Sequence, residues 1–275
     1  MKKNIKIYTL LILFLLLFMS LSQILGGKAG SVLYILSFAL PLLFGFVYSS
    51  RDKVRREEER GISEPPDRLF ELNREGLCLT LPLVFPAAAL VFFISYLTFL
   101  LFSLVGIGAS LRPEGSVFYL ILVYAVAPAV LEELVFRYLP IKLLSPYSKK
   151  ATIIVSSVYF GFFHLDFLKI PYALVAGVLF IVIDLSLESV IPSVLLHLCN
   201  NIISVVWIKS EGWQTAFLLT FALLVLLSLV FIAVFRKRYI EKVKLVMKER
   251  KACEITYIVL LIPLIAIIEF VIKLF

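Results

Sequence analysis

Apolar residues fall in blocks separated by short polar or basic segments. Nine blocks stand out, at roughly 6–26, 31–50, 77–105, 116–141, 151–168, 171–187, 190–208, 214–235 and 253–272. About 20 apolar residues of helix cross a hydrocarbon layer. Backbone in lipid must satisfy its own hydrogen bonds, so each block reads as a helix. The pattern predicts an all-α, polytopic transmembrane bundle of eight to nine membrane helices, forming a single integral-membrane domain over 1–275. The blocks at 151–168 and 171–187 are the shortest and read as a tilted or partly re-entrant pair. The first block follows Lys2 and Lys3, as a signal peptide would. Its length of about 20 residues and the lack of a small-x-small cleavage site favour a retained helix. Segment 51–76 mixes both charges around Pro65-Pro66 and reads as a solvated loop with one short helix. Segment 236–251 sets Tyr239, Val243 and Val246 on one face among basic residues. It reads as a long helix leaving the bilayer with snorkelling ends, in preference to a surface helix lying on anionic lipid.

Composition agrees with this picture. Hydrophobic residues make up 61% of the chain and charged residues 17%, against about half and a quarter for a soluble domain. The net charge of +8 does not point to nucleic acid, because the basic residues sit between apolar blocks. With nine crossings, 21 Lys and Arg fall on the side of the N-terminus and 5 on the other, with Arg137 inside a helix. The basic side is expected to be cytoplasmic, with the N-terminus inside the cell membrane. Cys78, Cys199 and Cys253 lie in or beside apolar blocks without metal-type spacing and read as small hydrophobes that form no disulfide.

Ionisable residues inside membrane helices are costly and mark function. Block 116–141 carries Glu132, Glu133 and Arg137; block 151–168 carries His164, and Asp166 near its end. Block 171–187 carries Asp184, and block 190–208 carries His197, Asn200 and Asn201. Counted from the basic end of each helix at about 1.5 Å per residue, Glu132, His164, His197 and Asn201 fall in one slab of roughly 10–20 Å depth. His197 and Asn201, four apart, share a helix face. Glu133 and Arg137 have the same spacing and suit an ion pair, which leaves Glu132 on an adjacent face. Pro128 lies one turn before Glu132 and removes the bond to the Tyr124 carbonyl. Phe160 reads as cavity wall. Asp184 lies close enough to its helix end to reach water. A carboxylate base, a histidine and two N–H donors in a water-poor site suit peptide hydrolysis. Cys199 lies off the His197–Asn201 face, which argues against a thiol nucleophile.

Three motifs sharpen this reading. Glu132-Glu133-Leu134-Val135-Phe136-Arg137 has the form EExxxR, Phe160 to His164 the form FxxxH, and His197 to Asn201 the form HxxxN. In order and spacing they resemble the CAAX protease and bacteriocin-processing family of intramembrane endopeptidases, over a core of about 116–208. The resemblance implies that Glu132 and His164 activate a water, that His197 and Asn201 form an oxyanion hole, and that Glu133 and Arg137 support them. It departs from the family at Ile181 to Ser189, where Ile183, Asp184 and Ser186 replace an expected tyrosine and threonine pattern. The expected substrate is a peptide or lipidated peptide at the bilayer, such as a prenylated CAAX tail or a bacteriocin leader, with no cofactor. One alternative makes Glu132, His164 and His197 zinc ligands, although no HExxH supports it. Another is a non-enzymatic transporter or immunity protein, for which an inverted repeat or a file of acids across the membrane is missing.

Overall fold

The computed structural model describes residues 2–25, 27–60, 68–104, 115–248 and 257–274. Pro65-Pro66, Arg112 and Cys253 lie outside them. The described residues form ten helical segments and no strand. These are α1 (Lys2–Leu25), α2 (Gly27–Arg60), α3 (Arg74–Ser103), α4 (Val117–Leu143), α5 (Lys149–Phe163), α6 (Ile170–Leu187), α7 (Ile191–Ile208), α8 (Gln214–Val234), α9 (Arg236–Met247) and α10 (Leu261–Leu274). Among them α1–α4 and α6–α8, seven in all, are long and apolar enough to cross a membrane. Helix α5 has 15 residues, or about 22 Å, shorter than a hydrocarbon layer, and α10 has 14. The expected eight or nine spans therefore stand at seven by this measure.

Helix starts follow local chemistry. Asn73, Ser116 and Ser148 each accept a bond from a first-turn N–H at α3, α4 and α5. The charged stretch 51–60, expected as loop, continues α2. Its Asp52 pairs with Arg55 and Arg56 along the helix, and i,i+3 and i,i+4 pairs of this kind carry a helix beyond its apolar part. Segment 236–247 is not a straight extension of α8 either. The chain breaks at Phe235 (φ −93°, ψ 10°), and α9 packs back on the bundle. Val246 is buried with Ile153 and Ile181, and the Tyr239 hydroxyl donates to the Leu79 carbonyl at 2.8 Å.

Helix α4 crosses the centre of the bundle. Its residues 135–140 are all buried between α1, α2 and α5. Two wide, five-residue turns interrupt it, at Leu122–Val126 and Leu134–Tyr138, and a proline follows each within two residues. Pro140 lacks the N–H that the Phe136 carbonyl would accept. The Ser156 hydroxyl of α5 donates to that carbonyl instead, and the Tyr8 hydroxyl of α1 donates to the Val135 carbonyl at 3.1 Å. Neighbouring helices thus satisfy backbone groups that lipid would leave bare.

Helices α5 and α6 approach closely at Gly161 and Gly177. A Cβ on Gly177 would lie 3.0 Å from Ser157 Cα, the small-residue contact that holds membrane helices together. The turn between them places Leu165 at φ 49° directly after His164, an unusual backbone for a branched residue. Helix α8 is the outlier, with 6% of its span buried.

The basic segments gather at one end of the bundle. Asn4 reaches the Leu143 carbonyl at 2.8 Å and Asp52 at 3.4 Å. Val190 N–H donates to the Leu69 carbonyl at 2.8 Å, and α9 spans from Leu79 to Ile153.

Candidate active site

Helix α4 supplies Glu132 and Glu133 from the seven-residue stretch between its two wide turns, and Arg137 from the second wide turn. Helix α5 ends at Phe163 and holds His164 as its last cap residue. Helix α7 supplies His197, Asn200 and Asn201. Glu132, His164, His197, Asn200 and Asn201 all line one cavity of about 310 Å³, walled by Phe160, Phe180 and Tyr172 and touched by Pro128. The four residues expected to do chemistry therefore meet in space, from three helices.

The adjacent glutamates divide. Glu133 is fully buried, with Oε1 2.7 Å from His197 Nδ1 and Oε2 3.1 Å from Arg137 Nε. Arg137 is also fully buried, its guanidinium 4.0 Å from the centre of the Phe160 ring and 5.4 Å from that of Phe180. Phe160 is thus both cavity wall and the face on which the arginine stacks. Glu132 points into the cavity instead. Its Oε2 has no hydrogen-bond partner among the described residues and lies 4.0 Å from His197 Nε2. One imidazole therefore has its two nitrogens directed at two different carboxylates. A carboxylate at Nδ1 fixes the proton there and orients the ring.

His164 faces the same cavity, with its ring against Phe160, Phe163 and Tyr172 at 5.5–6.5 Å between centres. No hydrogen bond joins it to Glu132 among the described residues, so the two flank the cavity with space between them. Asn200 Nδ2 donates to Asn201 Oδ1 at 3.4 Å, which leaves the Asn201 amide N–H₂ directed elsewhere. Cys199 packs in the core and does not line the cavity, as expected. Among the described residues, no three His, Cys, Asp or Glu side chains are arranged to hold a metal ion.

Sequence reading placed Asp184 near water, and the structure corrects this. Asp184 is fully buried, because α6 continues beyond it to Leu187 and the next turn folds over it. Two residues of the site carried no sequence signal. Tyr34 of α2 lines the cavity, and Lys169 lines it at the start of α6. An isolated tyrosine in an apolar block, or a lysine in a connecting turn, looks like any other until the helices are assembled.

No curated protein and no solved structure matches the chain. Residues 114–203 match the family model described as type II CAAX prenyl endopeptidase Rce1-like, the protease family that the three motifs resemble, and the match covers all three motifs.

Proposed function

We propose that this cavity hydrolyses a peptide bond in a membrane-associated substrate, with lipidated CAAX-type tails as the leading substrate class. The observation that carries the reading is the convergence of Glu132, His164, His197 and Asn201 on one cavity, inside the segment that matches the family. A water between Glu132 and His164 loses its proton to the Glu132 carboxylate as its oxygen attacks the scissile carbonyl. The carbonyl oxygen gains the charge. His197, held through Nδ1 by Glu133, donates from Nε2 when doubly protonated, and the Asn201 amide supplies a second donor. Each such donor contributes roughly 3–4 kcal/mol to the transition state. The tetrahedral intermediate then expels the amine, which takes up the proton held by Glu132. Arg137 balances the Glu133 charge.

The test is cleavage of a farnesylated reporter peptide by the purified full-length protein, with and without chelator. Cleavage that survives chelation and disappears in Glu132→Gln supports the proposal. Failure to cleave lipidated or unmodified membrane peptides would remove the peptidase reading. Activity lost on chelation and restored by zinc would turn the same residues into ligands. The basic end of the bundle, and with it the N-terminus, is assigned to the cytoplasm by its charge.

A further inference from the structure

Asp184 lies outside all three motifs, yet it contacts the helix that carries two of the four proposed catalytic groups. Its Oδ1 accepts the Ser193 backbone N–H at 3.0 Å. Ser193 is the third residue of α7, whose first N–H groups have no partner within the helix. The cap residue itself, Val190, offers no side-chain bond. Each early position is nevertheless accounted for. The Ile191 N–H donates to the Ser189 hydroxyl at 3.2 Å, Pro192 has no N–H, and Ser193 donates to Asp184 of the neighbouring helix. A carboxylate at this end also suits the positive pole of the helix dipole.

The cap continues into the site. Ser193 precedes His197 by one turn. Its hydroxyl donates to the Val190 carbonyl at 3.0 Å, within the turn that leads to His197. Glu133 in turn holds His197 Nδ1 at 2.7 Å. Asp184, the first turn of α7, Glu133 and His197 form one buried chain of contacts.

We infer that Asp184 is a positioning residue: by anchoring the Ser193 N–H it sets the rotation of the first turn of α7, and so the angle at which the His197 ring meets Glu133 and presents Nε2 to the cavity. It touches no substrate and acts through α7. The inference rests on the peptidase reading for its kinetic consequence only; the orientation of His197 is measurable without turnover.

The experiment compares Asp184→Ala with Asp184→Asn in the full-length protein. Asparagine keeps an oxygen that can accept the Ser193 N–H, and alanine does not. The chain has only two histidines, so labelling with 15N-histidine yields the signals of two imidazole rings, assigned by a His164→Asn variant. In Asp184→Ala the His197 Nδ1–H resonance, shifted downfield by its bond to Glu133, moves or broadens while that of His164 stays. In Asp184→Asn it remains. In the reporter assay kcat falls on the order of 10²-fold in Asp184→Ala, the size expected for a misplaced group, with KM nearly unchanged. Asp184→Asn recovers most of it. An unchanged His197 signal in Asp184→Ala overturns the inference. Equal loss of both histidine signals in both variants also overturns it, because the residue then serves folding alone. A wild-type protein without peptidase activity would sink the proposed function, while the His197 resonance would still decide the role of Asp184.

Discussion

Exchanging each of the adjacent glutamates for glutamine should give opposite signatures. Glu133 is fully buried between two partners, His197 Nδ1 at 2.7 Å and Arg137 Nε at 3.1 Å. Glu133→Gln leaves the Arg137 guanidinium, which has no hydrogen-bond partner among the described residues, without its counter-ion between two phenylalanines. Breaking a buried pair from one side costs about 3–5 kcal/mol, because the surviving charge stays buried. Glu132 differs. Its Oε2 has no hydrogen-bond partner among the described residues and lies 4.0 Å from His197 Nε2. Removing its charge strands nothing, so Glu132→Gln should melt near the wild-type temperature while losing roughly 10²–10⁴-fold in turnover, the contribution of a positioned base. Thermal melts in detergent micelles, with kcat measured on the same preparations, separate the two. A Glu133→Gln protein as stable as wild type, beside a Glu132→Gln protein that unfolds, would refute the assignment of charge support to Glu133 and of chemistry to Glu132. Activity alone is not diagnostic, since loss of Glu133 also releases the His197 ring.

Further expectations follow from the same geometry. Asn201→Ala should lower turnover by about 10²–10³-fold with an unchanged melt, as for the loss of one oxyanion donor; unaltered turnover would take Asn201 out of the site. Gly177→Leu should destabilise the protein by about 1–3 kcal/mol through overpacking, because its Cβ would already lie 3.0 Å from Ser157 Cα, and a wild-type melt would show that α5 and α6 do not meet there. Reporter fusions after residues 60 and 245 should report the same compartment, since the ends of α2 and α9 both belong to the basic end of the bundle. Opposite compartments would mean an odd number of crossings between them, as results if the 15-residue α5 does not span.

Much of this protein could be read along the chain. An apolar block in lipid can only become a helix, so Val117–Leu143, Ile170–Leu187, Ile191–Ile208 and Gln214–Val234 emerge within a few residues of their expected bounds. The i,i+4 spacing of Glu133 and Arg137 dictates their ion pair, and a helix of known rise carries Glu132, His164 and His197 to similar depth. Depth and face are one-helix properties, and periodicity encodes them. What periodicity does not encode is which faces meet. Glu133 holds His197 because of the rotation of α4 against α7, and the wide turns beside Pro128 and Pro140 alter that rotation locally. Tyr34 joins Glu132 at the cavity only once α2 packs beside α4. The length of a helix inside its apolar block was equally hidden: α5 stops at Phe163 because the chain turns at Leu165, and α2 runs on to Arg60 through its own ion pairs. Asp184 shows the difference most directly. Four residues from the end of a helix, it should reach water by sequence alone. It is buried because the start of the next helix needs an acceptor for its Ser193 N–H, and in a water-poor interior that acceptor must come from the protein itself.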